Sequence, residues 1–332
     1  MYSYPNLQSM EAYSKDTKHA VVVGGGLIGI EMAEMFHSRN ISVTLLVREA
    51  SYWDNVLPKE ESAMISRHIK EHHLDLRLGT ELKEILSDKD GRARAVVTNT
   101  GEEIACQFVG LTAGVHPNID FIKQSEQCDV DTQRGILVND YLETTAPDVY
   151  ALGDCAQLMS PGEGRRPIEA IWYTGRMMGE TVAHTICGER TAYVPRLWFN
   201  SAKFLDIEYQ VYGDVRAKAP ENHAQLYWEH KEGRHGIRLV FDKDSKVSLG
   251  FNLMGIRYRH EVCEKWILEK TPVETVLQNL GLANFDPEFF KEYEEEVIAL
   301  YNKQFNANLE LKQKRSLTAA LRFLKNKLTP QT

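Results

Sequence analysis

The chain has 332 residues, 43% of them hydrophobic and 26% charged, which is ordinary globular composition and length enough for two or three domains. Its formal net charge of -8 speaks against a general nucleic-acid binder, which carries a basic balance or a basic stripe. The longest apolar runs fall far short of the roughly 20 residues of a membrane span, and the five cysteines (Cys106, Cys128, Cys155, Cys187, Cys263) are scattered without CxxC spacing, against a disulfide scaffold or zinc ribbon.

The opening segment, 1–17, reads as a leader. Its start, MYSYPNLQSMEAYSK, has neither a basic beginning nor an apolar stretch, so no secretory signal is expected and the protein is placed in the cytoplasm. Residues 19–23 (HAVVV) then form a short β-branched run suited to a buried parallel strand. Glycines follow at once, then helical composition over Leu27 to Arg39, a polar turn and a second aliphatic run, ISVTLLV, over 41–47. This is a βαβ unit. A helix is predicted over Lys59 to His72 and a strand over Leu74 to Leu78. Small strands with turns at Asp90-Gly91 and Thr100-Gly101 make residues 80–110 an antiparallel meander.

Further on, strands are predicted at Phe108 to Gly114, Gly135 to Val138 and Val149 to Leu152. A helix over Ile168 to Ile186 carries Gly175 and Gly179 four apart, where another backbone can come close. After Tyr193 the texture becomes aromatic and alternating, which predicts an antiparallel sheet. Helices follow near Glu261 to Lys270, Val273 to Asn279 and Pro287 to Phe305, with a domain boundary near Pro195.

The strongest motif is VVVGGGLIGIE, in which Gly24, Gly26 and Gly29 spell GxGxxG directly after a strand and at the opening of a helix. The first glycine permits the tight turn, the second lets backbone approach a pyrophosphate, and the third lets helix and strand pack closely. The helix start at Leu27, Ile28 and Gly29 supplies N–H groups and a positive dipole end to phosphates. At the end of the second strand Arg48 precedes Glu49. A carboxylate there accepts the ribose hydroxyls of NAD, whereas an arginine pairs with the extra phosphate of NADP. Val47 stands where NAD-preferring units carry their acid, which favours NADP and leaves NAD open; a solvated strand end is the bland alternative. A second motif, TTAPDVYALGDCAQ over 144–157, delivers Gly153 and Asp154 to a turn where glycine permits close approach and the carboxylate can accept hydrogen bonds from a polyol. Gly-Asp is also a common structural turn.

Together the stretches VVVGGGLIGIEMAEMF, LTAGVHPN, GILVNDYLETTAPDVYALGDCAQ and IEAIWYTGRMMGE resemble, in order, the pyridine nucleotide-disulfide oxidoreductase superfamily of FAD-dependent enzymes, in particular its NADH oxidase, rubredoxin reductase and coenzyme A-disulfide reductase branch. The resemblance covers residues 19 to about 190. It implies an α/β chain: a Rossmann-type NAD(P) domain (18–110) inserted in a partial FAD domain (111–195), then an α+β interface domain (196–305) that completes a homodimer, and a basic tail (306–332). It further implies that Gly24, Gly26, Leu27, Ile28 and Gly29 bind the nicotinamide dinucleotide, with Glu31 near its nicotinamide end and Gly114 at the nicotinamide pocket. Gly153 and Asp154 would hold the ribityl-phosphate region of FAD, and Glu169, Ala170 and Ile171 would face the flavin.

There are departures. The family's pattern opens with a segment bearing its own GxGxxG and the redox cysteines, and this sequence starts after it, so the flavin site is expected to be incomplete and no catalytic cysteine is carried over. His260 with Glu264 is a poor counterpart of the family's C-terminal dyad. Cys155 beside Asp154 is expected to be a small buried residue rather than a reactive thiol. Trp172 and Tyr173 either stack near a flavin or pack the sheet. His72, His73, His230, His235 and His260 lack metal-ligand spacing, so no metal is expected. The tail has six basic residues against Glu310, with Leu317, Ala320, Leu321, Leu324 and Leu328 on one helical face; docking on its own subunit is favoured over resting on an anionic membrane. The function expected is hydride transfer from NAD(P)H to flavin and on to an unidentified acceptor. A non-catalytic nicotinamide-binding module that has lost flavin, and a dimerisation platform, stand as the alternatives.

Overall fold

The run Ala20 to Val22 is wholly buried because it lies in the middle of a sheet with chain on both faces. The computed structural model describes residues 3–125, 129–162, 164–286, 288–289 and 291–312. In chain order the first elements are α1 (Tyr4–Ser14), β1 (His19–Val23), α2 (Leu27–His37), β2 (Ser42–Val47), α3 (Lys59–Glu71), β3 (Asp75–Leu78), β4 (Leu82–Ser87), β5 (Ala93–Thr98), β6 (Glu103–Ala105) and β7 (Phe108–Leu111). Then come α4 (Asp120–Lys123), β8 (Ile136–Val138), a 3-10 turn (Gly153–Cys155), β9 (Ala156–Leu158) and α5 (Trp172–Ile186). The rest comprises β10 (Phe199–Phe204), β11 (Ile207–Gly213), β12 (His223–Glu229), β13 (Gly236–Asp242), β14 (Ser248–Met254), α6 (His260–Leu268), α7 (Val273–Gln278) and α8 (Glu294–Phe305).

The chain divides into two compact units, one formed by residues up to Thr112 together with those from Ser201 on, the other by Ala113–Asn200. In the first, a parallel sheet has the order β3-β2-β1-β7. One face of this sheet packs the meander β4-β5-β6 through Val21, Leu46, Val96 and Ile104. Helix α2 packs through its buried Ile30, Ala33 and Phe36, and Phe36 lies 4.8 Å from the Phe108 ring. The leader is itself helical: α1 buries Met10, and Glu11 pairs with Arg39 at 2.7 Å.

The same unit contains an antiparallel sheet of order β10-β11-β14-β13-β12. Helix α3 joins the two sheets with polar contacts as well as apolar ones. Buried Arg238 of β13 donates to both carboxylate oxygens of Glu61 at 2.7 Å and to Glu60 at 2.7 Å, and Asn252 donates to Glu61 at 3.1 Å. Arg67 pairs with Glu229.

In the second unit, β8 and β9 pair in parallel, and their buried residues Ile136, Val138 and Ala156 meet Met178 and Val182 of α5. Two expectations are corrected here. Val149 to Leu152 is not a strand; it makes one bridge, Tyr150 to Glu143, and the Thr144 hydroxyl takes the Val149 carbonyl at 2.9 Å, so the hairpin is too short for a ladder. The helix predicted from Ile168 begins at Trp172, because Glu169 is held in the preceding loop by Arg165. Pro287, where the start of α8 was expected, lies outside the described residues. Helix α8 starts at Glu294, and three glutamates occupy its positive first turn. Its end is set by left-handed Asn306. The tail from 313, including Leu317 to Leu328, and Cys128 lie outside the described residues. No described helix is long and apolar enough to cross a membrane.

Candidate dinucleotide site

The loop between β1 and α2 is set by its three glycines in three different ways. Gly24 has φ +119, where an L side chain is strained, and a Cβ there would sit 2.6 Å from the Thr112 carbonyl oxygen. At Gly29 a Cβ would overlap the Gly24 carbonyl and lie 2.9 Å from the Thr112 hydroxyl, so only glycine lets α2 descend onto the strand. Gly26 differs: its φ of -78 suits any residue, and a Cβ would meet no protein atom within 4 Å. Folding therefore does not require glycine at 26. The open space in front of it does, if something outside the chain fills it.

Gly26 is the N-cap of α2 and no side chain caps the helix. The first-turn N–H groups of Leu27, Ile28 and Gly29 have no acceptor further up the helix, by helix geometry. The positive end of the helix dipole lies at the same place. An uncapped helix start beneath an open glycine is chemically suited to an anion such as a pyrophosphate.

Sequence reasoning missed Thr112. Its hydroxyl donates to the Val23 carbonyl at 2.9 Å and lies against both Gly24 and Gly29, fixing the loop from the neighbouring strand. The signal was the polar residue ending the otherwise apolar run FVGLT. Val47, read above for coenzyme preference, packs its methyls 3.0 Å from where a Gly25 Cβ would stand. Glu31 is exposed on α2, yet its carboxyl is pushed up from the ordinary value by desolvation and by nearby Glu34.

At the end of β2, Arg48 donates to Glu49 at 2.9 Å, and this bond holds the Glu49 carboxyl below its usual range. Arg48 is three-quarters exposed.

In the second unit, Gly114 has φ +125 with no protein atom within 4 Å of a built Cβ. Gly153 has φ +72, and the backbones of Gly153 and Gly175 are close, a Cβ on Gly175 standing 3.4 Å from the Gly153 Cα. The small residues of α5 thus admit the 3-10 turn that carries exposed Asp154. Glu169 turns inward: it is buried, accepts from Arg165 at 2.6 Å and from the Thr174 hydroxyl at 3.1 Å. Its carboxylate is spent on holding the loop, which leaves exposed Ala170 and half-buried Ile171 as the outward part of that segment. Trp172 is exposed and Tyr173 packs on Phe199 at 4.6 Å. Cys155 is half-buried and its thiol donates to the Leu152 carbonyl. Cys106 and Cys263 are buried, with thiols pushed up by desolvation. His260 and Glu264 stand 3.8 Å apart on α6.

Among the described residues, two groupings of histidines and carboxylates arise that spacing along the chain did not suggest. His68 and His72 meet Asp206, and His230 and His235 meet Glu232.

Residues 2–184 match the family model described as pyridine nucleotide-disulphide oxidoreductase. The NAD(P)H coenzyme A polysulfide/persulfide reductase of Pyrococcus horikoshii is 33% identical over 201 residues, covering 60% of this chain and 43% of that protein. An NADH oxidase of Enterococcus faecalis is 32% identical over 193 residues, 58% of this chain and 42% of the relative. Among solved structures, an NAD-dependent persulfide reductase from A. fulgidus matches with TM-score 0.74 at 20% identity over 93% of this chain and 60% of the other. A FAD-dependent pyridine nucleotide-disulphide oxidoreductase from Desulfovibrio vulgaris matches with TM-score 0.71 at 18% identity over 90% and 74%. At these identities the structural likeness speaks for the fold. The chain spans less than half the length of these two curated relatives. The family match covers more than half of the chain, and with the glycine loop in its parallel sheet the conclusion is direct: this chain belongs to the pyridine nucleotide-disulphide oxidoreductase family.

Proposed function

We propose that this chain binds a nicotinamide dinucleotide on the β1–α2 loop and serves an NAD(P)H-dependent flavin oxidoreductase. The observation that carries the reading is Gly26, a glycine that no protein contact and no backbone angle demands, at the head of an uncapped helix. In this reading the amides of Leu27, Ile28 and Gly29 receive the pyrophosphate, with Gly24 and Thr112 holding the loop rigid beneath it. Arg48 or Glu49 receives the adenosine ribose end, and Arg48 favours the phosphorylated coenzyme. Glu31 lies toward the nicotinamide.

The second unit supplies part of a flavin site: Gly114, the Gly153 turn with Asp154, and the segment Ala170–Ile171, braced by Glu169 and Arg165. When both cofactors are bound, nicotinamide supplies a hydride and flavin accepts it. The residues of this chain contribute binding, orientation and a fixed loop rather than a nucleophile. A homodimer formed through residues 196–305 belongs to the same proposal; the exposed side chains of Leu268, Leu282 and Phe285 supply apolar surface there.

The test is an absorbance scan of the purified chain with FAD added, followed by anaerobic NADPH and NADH in turn. A flavin band bleached by either coenzyme supports the oxidoreductase. Nicotinamide binding without flavin would reduce the reading to a binding module, and loss of coenzyme binding in Gly26→Val confirms the loop as its seat. Unchanged affinity in that variant removes the site assignment.

A further inference from the structure

We propose that His68, His72 and Asp206 form a binding site for a divalent first-row transition metal ion, of the zinc class, in the unit that carries the nucleotide loop. His68 and His72 are four apart at the end of α3, so their rings lie on one face, with centroids 4.5 Å apart. Asp206 comes from the turn between β10 and β11, where Leu205 adopts φ +57. Its Oδ1 lies 3.0 Å from His72 Nε2 and is also hydrogen-bonded to His68 Nε2. The donor atoms of the three residues all fall within 4.8 Å of one another. Ligand atoms at about 2.0–2.2 Å around a tetrahedral zinc stand roughly 3.3 Å apart, so small side-chain adjustments close the set on one ion. Two imidazoles and a carboxylate suit zinc, cobalt or nickel and not the all-oxygen preference of calcium or magnesium.

The surroundings point the same way. Arg234 approaches the other carboxylate oxygen, Oδ2, at 3.5 Å, which orients Asp206 and leaves Oδ1 to the ion. His68 is buried, and its Nδ1 has no hydrogen-bond partner while Nε2 is engaged by Asp206. A metal on Nε2 moves the ring proton to Nδ1, which lies 3.8 Å from the Glu71 carboxylate. Shortening that contact to hydrogen-bond distance would complete the carboxylate–histidine–metal arrangement found around bound ions and give a buried orphan nitrogen a partner. His72 is the C-cap of α3, where the helix dipole favours positive charge. His72 and Asp206 are partly exposed, so an ion has an entry path and a solvent-facing fourth position. In the other grouping His230 Nδ1 accepts from the Glu232 backbone N–H at 3.4 Å, which commits that nitrogen within one hairpin.

The experiment uses the full chain, stripped with chelator and titrated with Zn2+ by calorimetry, and with Co2+ to read its visible spectrum. The expected result is one saturable zinc per chain, an intense tetrahedral-type cobalt spectrum, and a melting temperature that rises with zinc. His72→Gln and Asp206→Asn, both at partly exposed positions, each weaken zinc by at least about tenfold, the scale seen for losing even an outer partner of a metal ligand. His235→Gln leaves zinc binding as it was. Absence of saturable binding overturns the proposal, as does binding that survives both His72→Gln and Asp206→Asn, or binding lost only in His235→Gln. Melting of each variant without metal verifies that it folds, so that lost binding reads as a lost ligand.

Discussion

Gly26 and Gly29 belong to the same motif, yet alanine at each should fail in opposite ways. At Gly26 the backbone angle is ordinary and a methyl meets nothing, so the folded chain accepts it. Alanine is a poorer N-cap than glycine by about 0.5–1 kcal/mol, and restriction of the unfolded chain returns about 0.4–1 kcal/mol, which nearly cancels. The methyl does, however, occupy the space in which a phosphate oxygen must approach the helix amides. Losing one charge-assisted hydrogen bond costs about 1.5–3 kcal/mol, or roughly 10- to 150-fold in Kd. At Gly29 the methyl overlaps the Gly24 carbonyl and crowds Thr112, an overpacking that costs about 1–3 kcal/mol of stability before any ligand is added. Urea unfolding and calorimetric titration with NADPH and NADH separate the two. Gly26→Ala should keep its unfolding midpoint and lose affinity, whereas Gly29→Ala should lose midpoint. Coenzyme affinity of Gly26→Ala within about threefold of the parent would refute the reasoning, because the open face of Gly26 would then have no occupant to explain it.

Three further outcomes follow from the same structure. Arg48→Ala should weaken NADPH more than NADH in paired titrations, since it removes the partner of the 2′-phosphate and frees Glu49; equal losses would hand the role to Glu49. Glu61→Ala leaves buried Arg238 with Glu60 as its remaining carboxylate beside the neutral Gln225, and should cost about 3–5 kcal/mol in denaturant unfolding, while Glu61→Leu combined with Arg238→Met should recover most of it. The His235 imidazole is pushed below its ordinary 6.5 chiefly by burial, with His230 adding to the effect against Glu232. Its contribution to stability is therefore present above pH of about 6.5 and is lost as pH falls through the depressed folded value. His235→Gln should flatten that part of the stability curve, and an unchanged slope would show that His235 is not its source.

The nucleotide half was legible because its signals are local. A β-branched run, a glycine triplet, a helical stretch and a second aliphatic run within one βαβ unit leave few folds to choose from, and β1, α2 and β2 fall where the residues place them. Turn chemistry likewise gave the meander at 80–110. The failures were at segments whose conformation depends on distant partners. The apolar content of Val149 to Leu152 suggested a strand, but a strand needs a neighbour and this run has only the short return from Glu143. The helix expected from Ile168 starts later because Arg165, in the same loop, holds the Glu169 carboxylate. Thr112 showed only as the polar end of the apolar run FVGLT, and its importance comes from lying beside two glycines more than 80 residues earlier. The meeting of His68 and His72 with Asp206 was hidden for the same reason: two ligands are spaced along a helix, and the third arrives from a turn of another sheet.

Helix α3 carries the deeper consequence of these contacts. A purely apolar seam between the parallel sheet and the antiparallel sheet would allow many nearly equal packings, because dispersion and burial are not directional. Here the seam holds buried Arg238 on Glu61, Asn252 on the same carboxylate, Arg67 on Glu229 and Asp206 on two histidines. Each of these fixes an angle as well as a distance, and the buried ones leave a costly orphan in any shifted packing. The position of α3 is thereby set by β13 and by the β10–β11 turn, while α3 also leads directly into β3 of the parallel sheet. A change at the C-terminal sheet, such as an ion drawing Asp206 toward α3, therefore acts on an element of the nucleotide sheet itself. This places the stability of the glycine loop's scaffold partly in residues about 200 positions away from it, and makes removal of the C-terminal sheet a perturbation of that scaffold rather than a clean separation of domains.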